Sequence, residues 1–61
     1  MKIEHARVLI PLLQAYAEGK IIEMYSSYYE HWNDVTSKEM DNIVYFVQNG
    51  RQFRIKKENK E

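Results

Sequence analysis

The chain has 61 residues, no cysteine, and nine basic residues against nine acidic ones, so its formal net charge is zero. That length supports one small domain, 1–61, burying only about 60% of the surface its unfolded form exposes, so self-association is expected to supply missing stability. Zero net charge excludes a general electrostatic grip on nucleic acid, and the lack of cysteine excludes disulfides and thiolate zinc sites and gives no reason to expect an oxidising compartment. The longest apolar run, Val8 to Leu13, falls far short of the roughly 20 residues a membrane span requires. The N-terminus lacks the basic-then-apolar pattern of a secretion signal, so a soluble, unprocessed chain is expected.

From Val8 to Glu18 the residues Val8, Leu9, Leu12, Leu13 and Tyr16 recur at one, three and four positions, the stripe of an amphipathic helix. Gly19 ends it, since glycine takes the left-handed conformation that closes a helix, and Lys20 suits the negative end of the helix dipole. Pro11 is tolerated in the first turn of a helix beginning near Arg7 or Val8. In a helix beginning earlier it predicts a kink, because proline removes a hydrogen bond and clashes with the carbonyl four residues back.

Lys20 to Ser26 is rich in β-branched and aromatic residues and predicts a strand; Ser26-Ser27 predicts a turn and Tyr28 to Val35 a second strand. Ile22 and Met24 share one face of this hairpin, while Ile21, Glu23 and Tyr25 share the other. Neither face is cleanly apolar, so pattern alone does not say which one meets the helix.

Thr36 to Gly50 supports two readings. Thr36 with Glu39 makes a capping-box pattern, Met40, Ile43, Val44 and Val47 fall at helical spacing, and Asn49-Gly50 can close a helix. Ile43 to Val47 is also strand-prone, and Asn49-Gly50 is also the preferred two-residue hairpin turn. The short helix is the favoured reading. Arg51 to Lys56 alternates, with Arg51, Phe53 and Ile55 on one face and Gln52, Arg54 and Lys56 on the other, which predicts a half-buried strand. Lys57 to Glu61 has no apolar residue and predicts a disordered tail.

Few residues carry a signal for chemistry. His5 and His31 have no partner at metal-ligand spacing, so no metal site is expected; His31 beside Trp32 reads as a hydrogen-bonding surface residue. Glu23, Glu30 and Asp34 could form a carboxylate pair across the hairpin, but the favoured reading is solvated strand-face acids that deter edge aggregation. No serine or threonine sits in a nucleophile elbow and Gly19 belongs to no phosphate-cradling loop, so neither catalysis nor a cofactor is expected. Tyr25, Tyr28, Tyr29 and Trp32 cluster around the hairpin, and Arg51, Arg54 and Lys56 lie on the last strand. Aromatic faces stack on bases and guanidinium groups bind phosphate bidentately, a combination suited to a nucleotide or short single strand. The same residues can instead be core and amphipathic cover, or a protein interface, where tyrosine, tryptophan and arginine are enriched.

The order helix, Gly19-Lys20-Ile21-Ile22-Glu23, Trp32-Asn33-Asp34-Val35 and Phe53-Arg54-Ile55-Lys56 resembles a group of short phage and prophage proteins. These carry an apolar helix ending in Ala-x-Gly-Lys, a strand, a central tryptophan and a terminal aromatic-Arg-Ile-Lys. Matching residues cover about half of the chain; Lys57 replaces the usual proline, and Thr36 to Gly50 is longer than the usual loop. The resemblance implies a phage gene product acting in the cytoplasm of a bacterial host. Its architecture is similar to that of compact phage sponge proteins, which oligomerise and bind nucleotide second messengers of host defence.

The expected fold is therefore α+β, with the helix Val8 to Glu18 packed on a small three-stranded antiparallel sheet and a second short helix. The expected function is non-enzymatic: a homo-oligomer countering host defence by sequestering a nucleotide-like signal. Arg51, Arg54 and Lys56 would hold phosphate, Lys20 would assist, and Tyr25, Tyr28 or Trp32 would stack on a base. The alternative is a protein-binding inhibitor of a host nuclease or other defence protein, using the same aromatic surface or an added edge strand.

Overall fold

The computed structural model describes residues 1–57. Six elements follow in order: α1 (Ile3–Ala17), β1 (Ile22–Ser26), β2 (His31–Asp34), α2 (Ser37–Met40), α3 (Ile43–Gln48) and β3 (Phe53–Ile55). The strands form one antiparallel sheet in the order β2-β1-β3, so the expected α+β architecture is the one observed. No helix among the described residues is long and apolar enough to cross a membrane. Of the tail expected at Lys57 to Glu61, Lys57 is exposed and residues 58–61 lie outside the described residues.

Helix α1 starts at Ile3 rather than Val8 and continues through Pro11. Proline withholds the N–H that the Arg7 carbonyl would accept, and both Arg7 and Pro11 are exposed, so water can serve that carbonyl instead. The helix ends as its sequence predicts. Gly19 has φ +84°, its N–H reaches the Tyr16 carbonyl at 3.0 Å, and the Lys20 N–H reaches the Ala15 carbonyl at 3.0 Å. This pair of bonds is a Schellman motif, which satisfies carbonyls the helix itself cannot.

The same closure recurs on α3. Gly50 has φ +80°, and the Gly50 and Arg51 N–H groups bond the Val47 and Phe46 carbonyls, each at 3.1 Å. Asn49-Gly50 is thus a helix end and not a hairpin turn. The predicted capping box also forms, with the Glu39 N–H on Thr36 Oγ1 at 3.1 Å and the Thr36 N–H on Glu39 Oε1 at 2.9 Å. Where one helix is expected, two short ones appear, because Asn42 leaves the helical region at φ −113°, ψ 19°. Asp41-Asn42 are residues whose side chains favour turns over helix interiors.

The hairpin differs from its expected form. Ser26 pairs with His31, so the turn is the four-residue loop 27–30 and β2 begins at His31 rather than Tyr28. Glu30 takes φ 56°, uncommon for a residue with a side chain, and the Tyr29 N–H bonds Ser26 Oγ at 3.3 Å.

One apolar cluster holds the layers together: Leu9, Leu12 and Ala15 of α1, Ile22 of β1, Met40, Ile43 and Val47, with Val35 and Phe53 packed against it. The sheet face that meets the helices is therefore the Ile22 and Met24 side. Val8, Leu13 and Tyr16, expected in the buried stripe, remain 43–46% exposed, because the narrow contact with β1, β3 and α3 admits only the Leu9-Leu12-Ala15 arc.

Candidate functional site: the outer sheet face

Successive strand residues point to opposite sides, so placing Ile22 and Met24 inward sends Glu23 and Tyr25 outward. Register completes the outer face: Tyr25 pairs with Trp32, and Glu23 lies between Asp34 on one side and Arg54 on the other. Lys56, two residues beyond Arg54, shares this face.

Arg54 ties the face together. From β3 its Nε donates to Glu23 Oε1 on β1 at 2.7 Å, and its guanidinium carbon sits 4.2 Å from the centroid of the Trp32 ring on β2. One side chain thus bridges three strands. Glu23 is only 8% exposed, although it faces away from the helices. A carboxylate in so dry a place demands a charged partner, and Arg54 supplies it while its planar head stacks on the indole. Tyr25 packs edge-on to Trp32, with ring centroids 5.3 Å apart and an interplanar angle of 63°. Trp32 and Tyr25 are each half-buried.

Of the seven residues expected to bind a ligand, the structure gathers Tyr25, Trp32, Arg54 and Lys56 on this face. Lys56 Nζ lies 3.6 Å from Asp34 Oδ1, with both side chains about half exposed. Glu23, Arg54, Ile55, Lys56 and Lys57 line an open depression of about 550 Å³. Arg51 sits past the end of α3, where its Nη2 donates to the Tyr25 carbonyl at 3.2 Å and its guanidinium lies 5.7 Å from the Phe46 ring. Lys20 sits at the α1 terminus with Nζ 3.2 Å from Glu18 Oε1. Tyr28 is at the hairpin tip, 84% exposed, packed edge-on against Tyr29.

Each of the expected phosphate-holding cations is therefore engaged: Arg54 by Glu23, Lys56 by Asp34, Lys20 by Glu18, and Arg51 by a backbone carbonyl. Glu23 and Asp34 are cross-strand neighbours, as a carboxylate pair would require, but each faces its own cation. Glu30 lies apart in the loop. His31 Nδ1 is 3.2 Å from the Trp32 carbonyl, to which it donates in the Nδ1-protonated tautomer. Among the described residues no group of three or more His, Asp or Glu side chains converges as a metal site would require.

Glu23 is the centre of this arrangement, which its sequence context alone does not single out. Its signal was present in part, since Glu23 and Tyr25 share one strand face and Arg54 and Lys56 share another. Strand order was the missing piece. No protein-family model, curated protein or solved structure matches this chain.

Proposed function

We propose that this protein is a non-enzymatic binder that docks on another protein through the outer face of its sheet. The Trp32–Arg54–Glu23 bridge carries the reading. It presents a half-buried indole and a half-exposed guanidinium already held in one geometry, and tryptophan, tyrosine and arginine are the residues that dominate protein interfaces energetically. Groups ordered before contact lose less entropy on binding. The resemblance to short phage proteins supplies the setting: the bacterial host cytoplasm, with a host nuclease or other defence protein as the target.

Sequestration of a nucleotide-like signal is the second reading. The depression beside Arg54, Lys56 and Lys57 favours it, because an anion could approach three cations there. Such an anion must compete with Glu23 and Asp34 for Arg54 and Lys56, and Arg54 already covers part of the Trp32 ring on which a base would stack.

Two measurements separate these readings. Immobilised protein incubated with host lysate should retain one protein in stoichiometric amount, and Trp32→Ala should weaken that capture by at least tenfold. Equilibrium dialysis against cyclic and linear nucleotides should show no retention. Nucleotide retention lost in Arg54→Ala, with no captured protein, would replace the first reading by the second.

A further inference from the structure

The sheet has two outer edges, on β2 and β3, and they are not alike. On β3 the Gln52 carbonyl accepts from the Tyr25 N–H at 3.0 Å, and the Lys56 N–H donates to the Ile21 carbonyl at 2.8 Å. Backbone groups along an antiparallel ladder point alternately toward and away from the neighbour, so Gln52, Arg54 and Lys56 bond β1 while the N–H and C=O of Phe53 and Ile55 face outward. Among the described residues no hydrogen bond satisfies these four groups. On β2 the Val35 N–H donates to the Ile22 carbonyl at 2.8 Å, which leaves Trp32 and Asp34 outward, and there His31 Nδ1 lies 3.2 Å from the Trp32 carbonyl. The β2 edge is thus partly capped by its own side chain, and the β3 edge is open.

We infer that the β3 edge docks an extended, acidic segment of another protein, which joins the sheet antiparallel to β3 as a fourth strand. The inference rests on the protein-binding reading above and names the chemistry of the partner. In strand addition the main-chain bonds supply affinity and alternate side chains supply specificity. Here the added strand exchanges N–H···O bonds with Phe53 and Ile55, four in all, and its residue opposite Arg54 takes the position where side chains stand closest.

Charge selects the occupant. Residues 51–57 include Arg51, Arg54, Lys56 and Lys57 and no acid, and directly opposite side chains share one face of a sheet. The segment that fits therefore alternates, with acids opposite Arg54 and Lys56 and apolar residues opposite Phe53 and Ile55. Arg54 bonds Glu23 through Nε alone, and its two Nη groups carry four further donors. Lys56 Nζ, at 3.6 Å from Asp34, is beyond hydrogen-bond distance and keeps its donors. The open depression lined by Arg54, Ile55, Lys56 and Lys57 borders this edge and gives the acidic side chains room.

The same charges exclude a second copy from this edge. Two β3 strands paired with Phe53 opposite Ile55 set Arg54 against Arg54 of the second copy, and paired with Ile55 opposite Ile55 they set Arg54 against Lys56 twice. Pairing Phe53 with Phe53 needs the Arg51 N–H, which already bonds the Phe46 carbonyl at 3.1 Å. Like charges directly opposite destabilise a strand pair, and lysine on an edge is a common guard against self-pairing. What repels a copy of β3 attracts an acidic strand.

The probe is a synthetic peptide, acetyl-Ser-Glu-Val-Glu-Val-Thr-Ser-amide, whose glutamates align with Lys56 and Arg54 and whose valines align with Ile55 and Phe53. Amide hydrogen exchange of the full chain, followed by nuclear magnetic resonance, should show the Phe53 and Ile55 N–H groups slowed at least twofold by about 2 mM peptide, as a Kd of about 1 mM or tighter requires. The same peptide N-methylated at both valines, or with lysine in place of both glutamates, should give no protection. Both controls alter the probe and leave the protein intact. Unchanged exchange at Phe53 and Ile55 with the acidic peptide, or equal protection by either control peptide, would overturn the inference. Capture of a host protein that depends on Trp32 would survive that result, so failure at the edge is distinguishable from failure of the protein-binding reading.

Discussion

The two sides of β1 bury their residues by different physics. Inward, Ile22 and Met24 are 2% and 8% exposed under the helices, and the driving force is removal of apolar surface from water. Outward, Glu23 is as dry as Met24 at 8%, and its charge is met by a single cation that also lies on an indole. The inner side draws on many neighbours, so its stability is shared. The outer side depends on one side chain, so its cost is concentrated.

Breaking the inner side should have the largest effect. Ile22→Ala removes the most buried large side chain of the core and should cost about 2–5 kcal/mol. A chain of 61 residues has total stability of roughly 3–9 kcal/mol, so urea titration should show this variant losing a large fraction of its stability at 25 °C.

On the outer side, Arg54→Leu strands the Glu23 carboxylate and should cost about 1–3 kcal/mol, the lower end reflecting the half-exposed guanidinium. Adding Glu23→Leu should recover most of that loss, because an apolar pair needs no partner. If the double variant stays well below the wild type in stability, the bridge contributes net stability rather than only avoiding an unpaired charge.

Thr36→Ala tests the inner layer at its edge. It deletes the capping hydroxyl of α2, which positions Met40 in the core, and should lower stability by about 1 kcal/mol, a shift of about 4–8 °C in thermal midpoint. Smallest of all is Lys56→Ala. Its 3.6 Å pairing with Asp34 is between half-exposed groups and should contribute at most about 0.5 kcal/mol, vanishing in high salt. A larger loss would mean that the outer face is more desolvated than Glu23 alone indicates.

Local signals were legible in the sequence because their partners lie within a few residues. Gly19 and Gly50 close helices through bonds spanning three to five positions, and Thr36 and Glu39 cap one across three. Sequence and structure part where a distant contact outweighs a local preference. Pro11 argues for a helix starting near Val8, yet α1 begins at Ile3 and runs through it. Tyr28 has strand propensity, but Glu30 in the left-handed region turns it into loop.

The candidate site shows the same division. The residues with aromatic and cationic chemistry could be named from the chain, and alternation could sort Glu23 with Tyr25 and Arg54 with Lys56. That Arg54 reaches both Glu23 and Trp32 required β1 to lie between β2 and β3, a pairing between residues some thirty positions apart. Sequence by itself determined the helix ends, the cap and the two-sidedness of each strand, since these are set by φ, hydrogen-bond reach and the period of the backbone. Tertiary structure alone decided which side of the sheet is covered, which cations are already engaged and which stripe of α1 is left open. Those depend on burial and strand order, which no local stretch of chain encodes.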